Sequence, residues 1–470
     1  MVRIYVLFNL ALIVSSMLTF LNKFKKSIPL AAGFVNLVVA NVIYWSQLSG
    51  EAVLWNSFGV KLILDNISRD FLLMNSIVFL ASTIVATKKE KPSVFFFLLA
   101  LFLPSCNLMF LSCDMFNIYV LLELTTLVVF LLASFGGKTN QVWSALKYMV
   151  LGTAGMNLYL LGVGMIFARS RTFELPTLVD IIPAVLVISG LLVKAGVFLF
   201  SMWLPDLHSS VESELSALLS GVGIKTAVYA ILRFSPSLGK TVDVVVLFGV
   251  VSAIAGVVFA LNERNYKRIL AYHTLSQVGF VLSAPAVGSF YALAHGVFKS
   301  WLFLNAEELP VKDSKKLSRE KLPFLVWLAV VLPCLTICGL PFTIGATAKH
   351  MVFSQLTSWQ KIFMYGAAVG TVISFSKFLF LRPTFEMTRP VNPLVHILLG
   401  FYCFFPSLVL SVKRAEIFKS LIVFGVGALI YFILKNRMKP LPRRLENLED
   451  SLTIYVLLIA VCFLVVIVRG

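Results

Sequence analysis

The stretch Val187–Ser210, VISGLLVKAGVFLFSMWLPDLHSS, decides how this chain is read. Its composition is that of a membrane-spanning helix, yet Lys194 stands in the middle, with apolar or small residues on both sides. A charge at the centre of a spanning helix costs roughly 2.5–3.5 kcal/mol on insertion scales, so its presence needs a reason.

The rest of the chain makes lipid the solvent. Of 470 residues, 59% are hydrophobic and 13% charged. Soluble domains are about half apolar and a quarter charged. Apolar runs of about 20 residues recur throughout, long enough to cross roughly 30 Å of hydrocarbon. They place spans near 4–21, 28–47, 67–87, 93–112, 114–134, 142–167, 181–204, 211–234, 242–262, 268–285, 288–306, 323–345, 358–381, 393–411, 417–435 and 450–468. Half-helices among them bring the expected number to about 14–16. The runs are continuous and do not alternate, so they are helices and not barrel strands. The fold class is an all-α polytopic membrane protein. The first span is followed by NKFKK and no small-residue cleavage site, so it reads as an uncleaved helix.

The formal charge of +18 is unevenly distributed. Lys23, Lys25, Lys26, Lys88, Lys89, Lys91, Lys138, Arg264, Lys267, Arg268, Lys312, Lys315, Lys316, Arg319, Lys321, Arg382, Arg389, Lys435, Arg437, Lys439, Arg443 and Arg444 fall in alternate loops. This is the positive-inside bias. It places those loops in the cytoplasm and both termini outside, in a multi-pass protein of the cell membrane. No basic run carries the interleaved aromatics of a single-strand binding face, so nucleic acid is not an expected partner. The six cysteines include no CxxC pair, and neither a Walker A sequence nor a GxGxxG turn is present. No cofactor or metal site is expected, and no catalytic or redox site within this chain.

What remains is a set of ionisable residues inside spans. Glu123 is the acid at depth; Lys194, Lys225, His295, Lys299 and Lys377 are the bases. His295 and Lys299 are one helical turn apart and share a face, as do His273 and Gln277. Any one of these reads equally as a polar group locking helices together. A lysine near a span end, as at Lys349 or Lys377, reads also as snorkelling to the headgroups. Taken together, titratable groups in several helices are what proton or ion transfer requires. His208, His273 and Lys349 are accessory polar candidates.

Pro205, in WLPDLHSS, is expected to break the helix close to Lys194. Irregular backbone at membrane depth is tolerated where protein or water covers it. Cys338–Lys349, CGLPFTIGATAK, has the same ingredients. Lys194 precedes Lys225 by 31 positions, and Lys349 precedes Lys377 by 28. Two interrupted segments in corresponding halves point to an internal repeat with the pathway at its interface. The organisation expected is N-terminal helices over 1–92, repeats over 93–235 and 241–385, and C-terminal helices over 390–470.

These segments resemble the antiporter-like membrane subunits shared by respiratory complex I, Mrp-type cation/proton antiporters and membrane-bound hydrogenases. The resemblance lies in VKAGVFLFSMWLPDLHSS with LSALLSGVGIKTAVYAILR, in NERNYKRILAYHTLSQVGFVL, in SCDMFNIYVLLEL, in LDNISRDFLL and in GLPFTIG. It covers roughly residues 60 to 385, and AYHTLSQ leans towards the branch of the D-type Mrp antiporter chains and the hydrogenases. It implies two inverted five-helix repeats with broken helices, a hydrated polar axis, and assembly with homologous and smaller membrane subunits. By the same resemblance Glu123 is a switch glutamate, Lys194 the central lysine of the first half and Lys225 the connecting lysine. His295 and Lys299 lie on the axis of the second half, and Lys377 is the terminal lysine. VESELSA departs from the family's Ala-Pro start, and its Glu212 and Glu214 are either a solvated loop or an added cation site. Protons are the expected cargo, with sodium-linked exchange as an alternative. A stand-alone transporter of a small solute or cation, and a purely structural subunit, are the rival readings.

Overall fold

The computed structural model describes residues 1–54, 60–409 and 414–435, with isolated positions beyond. The chain forms α1 Val2–Ser16, α2 Ser27–Trp45, α3 Asn66–Thr87, α4 Ser93–Met109, α5 Met115–Ser134, α6 Thr139–Ser170 and α7 Ile181–Lys194. It continues through α8 Trp203–Ser210, α9 Ser213–Leu218, α10 Ile224–Phe234, α11 Val242–Asn262, α12 Tyr266–Ser283 and α13 Gly288–Leu304. The last described helices are α14 Ser314–Leu317, α15 Phe324–Cys338, α16 Ile344–Gln355, α17 Ser358–Leu379, α18 Pro393–Val409 and α19 Arg414–Leu434. Helix occupies every expected span except 450–468, which lies outside the described residues. Two small pairings finish the loops: β1 Gly50–Val53 with β2 Lys61–Leu64, and β3 Lys321–Pro323 with β4 Arg382–Thr384.

Among the described residues, eight helical stretches are individually long and apolar enough to cross a membrane. Length alone undercounts the crossings, because α4, α7, α15 and α18 are apolar but short, and Ser213–Asn262 carries two passes. The chain is a multi-pass helical membrane protein.

Local chemistry explains the boundaries. Asp65 and Asp114 accept from the backbone N–H three residues on and start α3 and α5. Gly339, in the left-handed conformation at φ 82°, ends α15. Close approach of α6 to α7 rests on glycine. A Cβ on Gly190 would lie 2.4 Å from the Gly155 carbonyl oxygen, so any larger residue would push the two helices apart.

The loops carrying the basic residues gather on one face. Glu90 pairs with Lys25 and Lys26, Lys88 donates to the Val391 carbonyl, and Tyr266 N–H donates to the Lys312 carbonyl. On the opposite face, Ile63 N–H bonds to Leu111, Met115 N–H to Phe173 and Val179 N–H to Ser237. α4 therefore starts at the basic face and α11 at the other. Each begins a run of five passes whose fourth member is interrupted: α7/α8 in one, α15/α16 in the other. α12 and α13 meet at 103°, and Tyr266 Oη donates to the Leu302 carbonyl, closing that hairpin.

Candidate functional site

The first interruption follows Lys194 directly. α7 ends there, and the chain is irregular from 195 to 202 before α8 begins. The break differs in place from the one expected at Pro205. Gly196 (φ 62°) and Leu199 (φ 77°) make the turn, whereas Pro205 sits in the first turn of α8, where its missing N–H is harmless. Lys194 is thus the last residue of a half-helix, beside the negative end of its dipole. Its Nζ lies 3.8 Å from Glu123 Oε1 on α5 and 5.4 Å from the Tyr148 ring centroid on α6. Gly152 of α6 makes the room, since a Cβ there would stand 3.0 Å from Nζ. Lys194 is buried, while the Glu123 side chain keeps 28% exposure on the flank of the bundle.

Lys225 follows a π-turn over Leu219–Gly223. Such a turn releases carbonyls from the ordinary ladder, and Lys225 Nζ donates to one of them, Ser220 O. Ser220 Oγ in turn bonds Thr274 Oγ1 of α12 at 2.8 Å. α13 crosses this turn so closely that a Cβ on Gly296 would lie 3.0 Å from the Gly221 carbonyl.

Beyond it, His295 and Lys299 on α13, His273 on α12 and His208 on α8 are wholly buried. Their nitrogens have no hydrogen-bond partner among the described residues. His295 is within electrostatic reach of Lys225, Lys299 and His273, and His273 within reach of Lys299, Lys349 and Lys377. Buried polar atoms in native proteins are nearly always satisfied by protein or water, and a string of orphaned nitrogens marks a place for ordered water.

The two terminal candidates separate. Lys377 Nζ donates to the carbonyls of Ala260 (3.1 Å), Leu261 (2.7 Å) and Glu263 (3.0 Å), a full cap on the end of α11. Lys349 is buried, donates to Ile337 O at 2.7 Å, and lines a small, partly open cleft with His350, Tyr365, Lys419 and Ser420. Lys349 lines this cleft with one carbonyl partner, whereas the partly exposed Lys377 is held by three carbonyls.

Glu212 and Glu214 form neither a solvated loop nor an open cation site. Lys89 Nζ sits among Glu212 (3.0 Å), Glu214 (2.7 Å) and Glu307 (2.7 Å), and Lys91 also binds Glu212. Burial works against the Lys89 charge, but these carboxylates outweigh it and push its pKa above the ordinary lysine range. Burial likewise pushes the Glu212 carboxyl up, and hydrogen bonds with Glu214, Lys91 and Lys89 outweigh it and hold it low.

Other groups, all but Lys147 in stretches that carried the resemblance, were not singled out as site residues. Arg233 grips Asp65 with two guanidinium nitrogens at 2.5 and 2.8 Å. Asp206 joins Lys147 (2.6 Å) to Arg268 (2.9 Å), tying the two halves together at the basic face. Only the Asp in WLPDLHSS, a polar residue beside a break, could have pointed to this pair.

Buried, electrostatically linked bases running between two broken helices define a membrane protein with an internal polar axis. Residues 112–374, more than half the chain, match the family described as NADH:quinone oxidoreductase/Mrp antiporter, transmembrane, and the chain belongs to it. It is 28% identical over 361 residues to NADH-quinone oxidoreductase subunit N of Desulforudis audaxviator, covering 67% of this chain and 71% of that one. It is 27% identical over 359 residues to the D chain of the Na(+)/H(+) antiporter of Alkalihalophilus pseudofirmus, covering 68% and 72%. The fold is like that of a chain in the Mrp complex from a Dietzia species, with TM-score 0.81, 21% identity and coverage of 96% of this chain and 58% of that one.

Proposed function

We propose that this chain is a proton-translocating subunit of a multisubunit membrane complex, moving protons along its buried axis under the control of neighbouring subunits. The observation that carries the reading is the string of buried bases, with nitrogens on His208, His273, His295 and Lys299 that have no hydrogen-bond partner among the described residues, anchored at one end by the Glu123–Lys194 ion pair. The Glu123 carboxylate is the counter-charge 3.8 Å from the Lys194 ammonium. Drawing Glu123 away leaves an ammonium in a medium that solvates it poorly, and its proton leaves. The proton passes by way of water to Lys225, His295 and Lys299, then His273 and Lys349. Lys349 takes the terminal role that the resemblance gave to Lys377.

The partly exposed flank at Glu123 supports the partnership. Lipid cannot satisfy a carboxylate at that depth, so a homologous or smaller membrane subunit covers it and moves the pair with its own charges. The relatives are subunits named for a quinone oxidoreductase and an antiporter. Protons are the cargo of this reading, with sodium-coupled exchange as its variant. The repeats run over 93–235 and 241–385, between N-terminal helices over 1–92 and C-terminal helices over 390–470. The basic face lies in the cytoplasm and both termini outside.

The test is proton translocation by the purified complex in liposomes. Glu123→Ala and Lys194→Ala each abolish it while the complex still assembles. Wild-type rates from either variant complex sink the reading, as does a lone subunit that exchanges cations for protons unaided.

A further inference from the structure

The entrance to the axis from the basic face is the question the family resemblance leaves open here, because VESELSA replaces the usual sequence at that point. Glu214 is 1% exposed. One carboxylate oxygen, Oε2, is held by Lys89 at 2.7 Å; the other, Oε1, is buried with no hydrogen-bond partner among the described residues. His208, six positions earlier, is wholly buried with both ring nitrogens unpartnered, and stacks on Phe303 of α13 at 4.6 Å. Ser216 Oγ donates to the His208 carbonyl at 3.1 Å, fastening the turn that carries Glu214 to the end of α8. Lys89 keeps 28% exposure and so reaches solvent. The charged groups around Glu214 are Glu212 on its own turn, Lys89 from the α3–α4 loop, Glu307 after α13 and Lys267 on α12.

We propose that Glu214 is the carboxyl group through which protons enter the buried axis from the basic face, with Lys89 as the tethered cation that closes the entrance between transfers. This rests on the chain being a proton-translocating subunit. A proton from bulk water bonds to the Glu214 carboxylate, and the neutral acid loses its attraction for Lys89, which stays with Glu212 and Glu307. The proton then leaves for a His208 ring nitrogen through water, the carboxylate is restored, and Lys89 returns. No electron moves, and the net change is one proton carried inward. A buried acid with one oxygen on a partly exposed lysine and the other without a hydrogen-bond partner among the described residues has the free acceptor such a relay needs.

The test uses the intact complex in liposomes, with pH varied on the basic face alone. Glu214→Gln should slow translocation by roughly a hundredfold, the lower end of what a positioned proton-transfer group contributes. It should also flatten the dependence on pH at that face. Glu214→Asp should recover part of the rate, and Lys89→Gln should let protons leak through the idle complex. Infrared difference spectra should lose a protonated-carboxyl band in Glu214→Gln and shift it in Glu214→Asp. A Glu214→Gln complex with wild-type rate, pH profile and infrared spectrum overturns the proposal, provided Lys194→Ala is inactive. If Lys194→Ala is active as well, the translocation reading falls with it.

Discussion

The two broken helices solve one problem in two ways. Each places an ammonium at the carboxyl end of its first half-helix, where the dipole favours a cation. Lys194 does so by being the last residue of α7. Lys349 comes after its break and reaches back to Ile337 O at the end of α15. Both lie near an aromatic ring, Tyr148 at 5.4 Å and Phe280 at 5.7 Å. The difference is the acid. Glu123 stands 3.8 Å from Lys194, while the contact described for Lys349 is a neutral carbonyl and the group lines a cleft. A carboxylate can be drawn away by a charge next door; a carbonyl cannot. The first break is thus fitted to be switched, and the second to release what reaches it.

The sharpest way to break this contrast is to exchange the terminal lysines. Lys349→Ala should cut translocation by at least roughly a hundredfold with assembly intact. Lys377→Ala should instead leave the rate near wild type and lower thermal stability by about 1–3 kcal/mol, since three carbonyls at the end of α11 lose their donor. The reverse pattern in paired transport and melting measurements restores Lys377 as the terminal group. A second experiment gives the second break the acid it lacks. Cys338→Asp beside Lys349 should hold the ammonium in place and slow release by roughly tenfold, read as a longer lag in single-turnover proton release. Release at the wild-type rate would mean that a neutral partner is not what sets this end apart. The smallest effect is expected at the first break. Gly152→Ala places a methyl group 3.0 Å from Lys194 Nζ, so the lysine must shift against Glu123. Translocation should fall about threefold, and no change would show that the pair tolerates such crowding.

Hydropathy made the helices legible, because lipid leaves the backbone few other choices. The mid-span charges were legible for the same reason: each is costly and stands out. Three features were not. The turn at Gly196–Leu199 depends on backbone angles, and a proline nearby drew attention to Pro205 instead. Lys349 and Lys377 differ in what their ammoniums touch, which spacing does not encode. Glu212 and Glu214 found their counter-ion at Lys89, more than a hundred positions away, brought there by the fold.

The π-turn before Lys225 has a mechanical consequence. It holds one residue of slack in an otherwise tight helix. If that slack migrates along the chain past Lys225, the residues it passes turn by about 100° about the helix axis while the ends stay fixed. The Lys225 ammonium would then let go of Ser220 and sweep to another side of the bundle with no helix unwinding and no subunit shifting. Removing one residue from Leu219–Gly223 would take the slack out and leave a stiff rod, in which the lysine keeps a single heading.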